Sequence, residues 1–325
     1  MERINKSVIL FVAVTLLNAA SFAQIKVKQN EIVLNAKDCR IYGTLKVPKT
    51  NGKVPVALFI AGSGPTDRNC NQPPHMVCNS FKMLSDSLNQ YGIATLCYDK
   101  RMIAKSVTKQ REDDLRFEHY IEDAKSWIEI LSQDDRFSEI IVIGHSEGSL
   151  IGMLACVDNP NVSKFISVAG AGSPLDEILK EQLMRNLEGQ PMSLKNQIFT
   201  YINELKQGRL LEKVPPELQS LFRPSVQPYL ISVFRYNPQE EIAKLKIPIL
   251  ILQGDLDVQI SEDDADLLYE ANSNAKKVII ENMNHVLKNS ESTDINEQIE
   301  DSYNNPNTAV NKELVENIVN FVKEK

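Results

Sequence analysis

Apolar residues recur in two rhythms along this chain of 325 residues, and the two rhythms alternate. Continuous apolar runs at 54–61, 93–98, 140–143, 162–168 and 248–254 predict strands buried on both faces. Between them, Phe81, Leu84, Leu88 and Tyr91 fall at helical spacing, as do Tyr120, Ala124, Trp127, Ile128 and Leu131. Residues 26–34 and 39–47 predict a leading hairpin. Strands alternating with helices predict an α/β fold: a mainly parallel, doubly wound sheet with helices on both faces. Ligands of such sheets bind at the carboxyl ends of the strands, where Gly62, Asp99, Ser146 and Gly170 fall.

The alternation breaks between 174 and 246. This stretch predicts helices throughout, from Leu175, Ile178, Leu179 and Leu183 to Leu218, Leu221 and Phe222. It is too long for a plain loop. It predicts a helical cap over the strand ends, the alternative being a decoration packed at the side. The pattern resumes with the strand at 248–254, a helix through Ala265, Leu268 and Ala271, and a strand at 277–280. A polar, Asn-rich loop at 288–307 and an amphipathic helix at 310–322 are expected to close the fold.

Residues 1–23 stand apart. Arg3 and Lys6 precede an apolar run at 8–17, and small residues lead to Ala23. This is the pattern of a signal peptide cut after Ala23, which predicts a periplasmic or secreted protein of one α/β domain, 24–325. The alternative, an uncleaved membrane anchor, needs roughly 20 apolar residues, about twice the run present. A net charge of -7 disfavours nucleic acid and anionic membrane surfaces as partners. Of five cysteines, Cys97 and Cys156 sit in apolar segments and are expected to pack as small hydrophobes. Cys70 and Cys78 flank a Pro-rich loop, and the spacing leaves a bridge between them open.

The strand at 140–143 runs into Gly144-His145-Ser146-Glu147-Gly148 and then a helix. That context makes G-x-S-x-G a nucleophile elbow, in which glycines permit a tight turn that exposes the serine. A serine hydroxyl needs a base. Of four histidines, His145 adjoins Ser146 and is expected to point away, His119 opens a distant helix, and His75 lies in a Pro-rich loop. His285 alone follows the last strand, and is the expected base. The imidazole needs a carboxylate. Asp255 continues the strand ending at Gly254, whereas Asp257 sits in the loop that can turn toward His285, so Asp257 is preferred. Backbone N–H groups of Ser63 and Glu147 are the expected oxyanion donors, with Gly62 and Gly64 giving the substrate room. The Glu147 side chain is expected to face loop or solvent. Cap aromatics, Phe222 and Tyr229 among them, are candidates to line an acyl pocket, or else form the cap's own core. No metal, phosphate-loop or dinucleotide motif appears, and hydrolysis needs no cofactor.

Gly62-Ser-Gly-Pro-Thr-Asp-Arg-Asn-Cys-Asn71, Tyr98-Asp-Lys-Arg101, Gly144-His-Ser-Glu-Gly148, Gln253-Gly-Asp-Leu-Asp257 and Asn284-His285 together resemble the bacterial α/β-hydrolase carboxylesterases that carry a G-S-G-P-T-D-R-D-G-N loop. The resemblance spans the chain after residue 23. It implies an α/β-hydrolase fold, Ser146 as nucleophile, Asp257 as acid, His285 as base, and a small-molecule substrate, a short-chain acyl ester. Peptidase or acyl-aminopeptidase activity on the same triad, and a non-catalytic binding role, are the competing readings. Two departures stand out. Asn69-Cys70 replaces the family's Asp-Gly, and D-K-R-G-x-G-x-S reads Asp99-Lys-Arg-Met-Ile-Ala-Lys-Ser106, without its glycines.

Overall fold

The computed structural model describes residues 24–187 and 189–324; residues 1–23, where a signal peptide is expected, lie outside them. The hairpin β1 (Val27–Asn35) and β2 (Arg40–Pro48) leads into β3 (Val54–Ile60), α1 (Ser80–Gln90), β4 (Ala94–Tyr98), α2 (Phe117–Ser132), β5 (Phe137–His145), α3 (Glu147–Cys156) and β6 (Lys164–Val168). Then come α4 (Leu175–Asn186), α5 (Met192–Lys206), α6 (Gln219–Phe222), α7 (Gln227–Val233) and α8 (Pro238–Ala243). The chain closes with β7 (Ile249–Gly254), α9 (Glu262–Ala271), β8 (Lys276–Ile280), α10 (Ile295–Gln298) and α11 (Lys312–Lys323).

The strands form one sheet in the order β1-β2-β4-β3-β5-β6-β7-β8. β1, β2 and β4 pair antiparallel, and every pair from β4–β3 to β7–β8 is parallel. Strand period splits the apolar runs between two cores. Val56, Leu58 and Ile60 join α2, α3 and the 174–246 helices on one face. Ala57, Phe59 and Ala61 join α1 and α11 on the other. Edge strand β1 is mostly polar and half exposed, as an edge with little cover must be.

The order reverses direction between β3 and β5. Their carboxyl ends therefore open a crevice, the usual binding position in such sheets. Ile198, Ile202, Leu205 and Phe222 of the inserted helices are buried in the same core as the sheet face that packs α2 and α3. The inserted segment is tied to the sheet side by Phe117 N–H donating to Ser232 Oγ at 2.8 Å and Tyr236 Oη donating to Glu118 Oε1 at 3.1 Å.

Residues 288–307 correct the expectation of a plain loop. They hold α10, capped by Asp294 Oδ1 accepting from Asn296 N–H at 2.8 Å, and a π-helical turn Ile299–Tyr303. Lys288 fixes this segment, its buried ammonium donating to the carbonyls of Ser302 at 3.2 Å and Asn305 at 2.6 Å. Polar composition concealed the turns because they are held by backbone carbonyls around one lysine rather than by an apolar stripe.

Candidate active site

Ser146 sits between β5 and α3 with φ 55° and ψ −125°, a conformation L residues rarely adopt. Close packing holds it there. A Cβ at Gly144 would overlap the Gly148 carbonyl oxygen, and one at Gly148 would overlap that of Ile60. The Ser146 N–H donates to Val168 O at 3.0 Å, pinning the turn to β6. α3 points its positive N-terminal end at the serine.

His285 follows β8, and its Nδ1 lies 2.7 Å from Asp257 Oδ2. Asp257 Oδ1 accepts the N–H groups of Gln259 at 2.8 Å and Ile260 at 3.0 Å. Burial would favour its neutral form, but attraction to His285 and these hydrogen bonds outweigh it and hold its pKa below the ordinary 3.8. The carboxylate is thus ionised and acceptor-only, so His285 Nδ1 carries the proton between them. Asp255 is exposed, and its N–H continues pairing to Ile280 O at 3.2 Å.

Ser146, His285, Gly62, Ser63 and Glu147 line one cleft of about 390 Å³, within the range of small-molecule sites. Among the described residues, neither the Ser63 nor the Glu147 N–H has a protein acceptor. Gly62 lies against the serine: a Cβ there would come 2.9 Å from Ser146 Cβ and 3.4 Å from its Oγ. The Ser63 carbonyl is held from behind by Gln72 Nε2 at 2.8 Å and Thr66 Oγ1 at 3.0 Å. The rest of the wall is largely apolar, with Leu175, Ile178 and Leu179 of α4, Val233 of α7 and Pro238 at the start of α8. The inserted helices therefore roof the crevice.

Four expectations need correction. Phe222 does not reach the cleft; its ring packs edge-on to Tyr201 of α5, centroids 5.8 Å apart. Tyr229 does not line it either, because its hydroxyl turns inward and donates to Glu147 Oε1 at 2.5 Å. The Glu147 side chain does not reach solvent; it is buried and ion-paired at 3.2 Å with Lys100, in the loop after β4. Gly64 is outside the cleft, in a turn with φ +80° beside the Gln72 side chain. His145 also departs from expectation, lying against His285 with ring centroids 4.9 Å apart. His75 and His119 do not line the cleft, and His119 Nδ1 accepts the Arg116 N–H at 3.2 Å.

All five cysteines are free and buried. The open question at Cys70 and Cys78 resolves to two thiols, the Cys78 Sγ resting 2.9 Å from the Cys70 carbonyl oxygen. At the departures from the resembling family, Cys70, Met102 and Ala104 stand where its motifs carry glycines and hold left-handed φ of 70°, 72° and 48°.

A mostly parallel eight-stranded sheet, a serine elbow after β5 and loops after β7 and β8 facing that serine define the α/β-hydrolase fold. A family model described as "Serine aminopeptidase, S33" matches residues 75–206, a span holding Ser146 but neither Asp257 nor His285. Esterase EstD of Thermotoga maritima is 26% identical over 253 residues, covering 75% of this chain and 57% of that protein. The chain thus aligns with little more than half the length of this curated relative. Est1E from Butyrivibrio proteoclasticus, solved with bound ferulic acid, matches with TM-score 0.57 at 19% identity, over 81% of this chain and 93% of that one. The Pyrococcus furiosus esterase Pf2001 matches with TM-score 0.58 at 15% identity, over 92% and 90%.

Proposed function

We propose that the chain is an exported serine esterase acting on small, uncharged acyl esters. The observation that carries this reading is the hydrogen-bonded Asp257–His285 couple, with His285 and Ser146 lining one cleft whose Ser63 and Glu147 N–H groups have no protein acceptor among the described residues. His285 Nε2 takes the Ser146 proton as Oγ attacks the ester carbonyl. The Ser63 and Glu147 N–H groups stabilise the oxyanion. His285 returns the proton to the leaving alcohol, and a water activated the same way releases the acid. The likeness to an esterase over 75% of the chain supports this chemistry.

The cleft's charge favours ester over aminopeptidase substrates. An aminopeptidase must bind a free ammonium, which calls for an available carboxylate. Among the described residues, the only carboxylate lining this cleft is Glu147, already neutralised by Lys100 and hydrogen-bonded to Tyr229. Short-chain preference is supported by the modest volume of the cleft, and export by the pattern of residues 1–23.

The test is turnover by the chain from Gln24 onward of p-nitrophenyl esters of graded length, beside aminoacyl p-nitroanilides, with Ser146→Ala as control. Ester turnover lost in the variant is the expected result. Anilide turnover alone moves the protein to the peptidases. Silence on both, with no fluorophosphonate labelling of Ser146, leaves a non-catalytic protein. N-terminal sequencing of exported material starting at Gln24 is expected.

A further inference from the structure

Lys100 sits just past β4 and is 3% exposed. Its ammonium has three neighbours in three directions. It donates to the Gly62 carbonyl at 3.0 Å and to Glu147 Oε2 at 3.2 Å, and it lies 4.2 Å from the centre of the Tyr120 ring. Burial alone would drive off its proton, but Tyr120 and Glu147 more than compensate and hold its pKa above the ordinary 10.5.

The two hydrogen-bonded partners are the two halves of the anion site. In a planar trans peptide the C=O and the following N–H point in opposite directions. Holding the Gly62 carbonyl on Lys100 therefore turns the Ser63 N–H the other way, toward the cleft. Glu147 supplies the second N–H, and its side chain is clamped between Lys100 and the Tyr229 hydroxyl of α7. We propose that Lys100 is a positioning residue that sets both oxyanion donors, and that Tyr229 couples the cap to the same clamp. This rests on the esterase reading only for the use made of the anion site.

The variants are Lys100→Met together with Glu147→Gln, which removes both buried charges at similar volume, and Tyr229→Phe, which removes one hydroxyl. The readouts are the rate of Ser146 phosphonylation by a fluorophosphonate, affinity for an alkyl boronic acid, KM against kcat for an ester, and thermal unfolding. Donors that act on the transition state lower kcat and leave KM nearly unchanged. The double variant is expected to lose about 10²-fold in phosphonylation and in boronate affinity, the scale of one lost oxyanion donor. Tyr229→Phe is expected to lose roughly tenfold in the same two readouts, on the scale of small misplacements of reacting groups. Wild-type rates and boronate affinity in a folded double variant overturn the proposal. If that variant does not fold, wild-type values in Tyr229→Phe overturn it. Fluorophosphonate and boronate need no ester. A wild-type protein that binds both and hydrolyses no ester sinks the esterase reading and leaves the clamp standing.

Discussion

His145 donates a hydrogen bond from Nε2 to the backbone carbonyl of His285, 2.8 Å away. A carbonyl only accepts, so His145 is the neutral Nε2–H tautomer, and its buried Nδ1 has no partner among the described residues. The residue before Ser146 thus props up the loop that carries His285. Burial, with the adjacent His285 adding to it, lowers the His145 pKa from 6.5 to about 3.

That shift has a direction in pH. The unfolded chain takes up a proton at 6.5 that the folded chain refuses until about 3. Stability from this group is therefore complete above 6.5 and falls as the pH drops toward 3. His145→Gln is expected to flatten this acid limb, read as urea midpoints across the window. It is also expected to lower kcat by about 10–100-fold through a displaced His285.

Asp257→Asn is expected to cost about 10⁴-fold in kcat, because an amide no longer fixes the imidazole tautomer. Asp255→Asn, at an exposed position, is expected to stay near wild type. The lowered Asp257 pKa gives stability that is present above 3.8 and lost as the pH falls through its folded value. The stability difference between wild type and Asp257→Asn should shrink only below 3.8; shrinkage near neutrality counts against this assignment.

Gly62→Ala is expected to lower kcat by roughly 10²-fold with a small change in KM. The added methyl meets Ser146 Cβ at 2.9 Å and must displace either Ser146 or the Ser63 peptide. Steady-state kinetics on one ester decide it.

Ile178, 4% exposed, forms part of the cleft wall from α4. Ile178→Ala is expected to move the chain-length optimum of p-nitrophenyl esters upward. Each methylene newly accommodated is worth ~0.8 kcal/mol, about fourfold in kcat/KM. An unmoved optimum places the acyl chain elsewhere.

Ala104 is exposed with φ 48°, where glycine is at ease. Ala104→Gly is expected to stabilise the protein by roughly 0.5–1 kcal/mol, relief of left-handed strain exceeding the added unfolded-state entropy. The urea midpoint should rise with the denaturant slope unchanged.

Much of the site was legible along the chain. The run at 140–143 and its glycines specify the elbow because strand burial and turn sterics act within a few residues. Spacing from the last two strands pointed to Asp257 and His285, which meet at 2.7 Å. Phe222 and Tyr229 show where such reasoning stops. Both are cap aromatics with similar local patterns, yet one packs on Tyr201 and the other binds Glu147.

What the sequence determined by itself was the rhythm of strands and helices, the serine turn and the order of its partners. Each depends on residues close in the chain, or on which strand end a residue follows. Only the tertiary structure decided that Lys100 meets Gly62 and Glu147, that Tyr229 reaches down from α7, and that His145 holds His285. Those partners lie in different elements, and their meeting depends on sheet order and cap packing. A buried ammonium or imidazole must find partners wherever the fold brings them, so local sequence leaves the choice open.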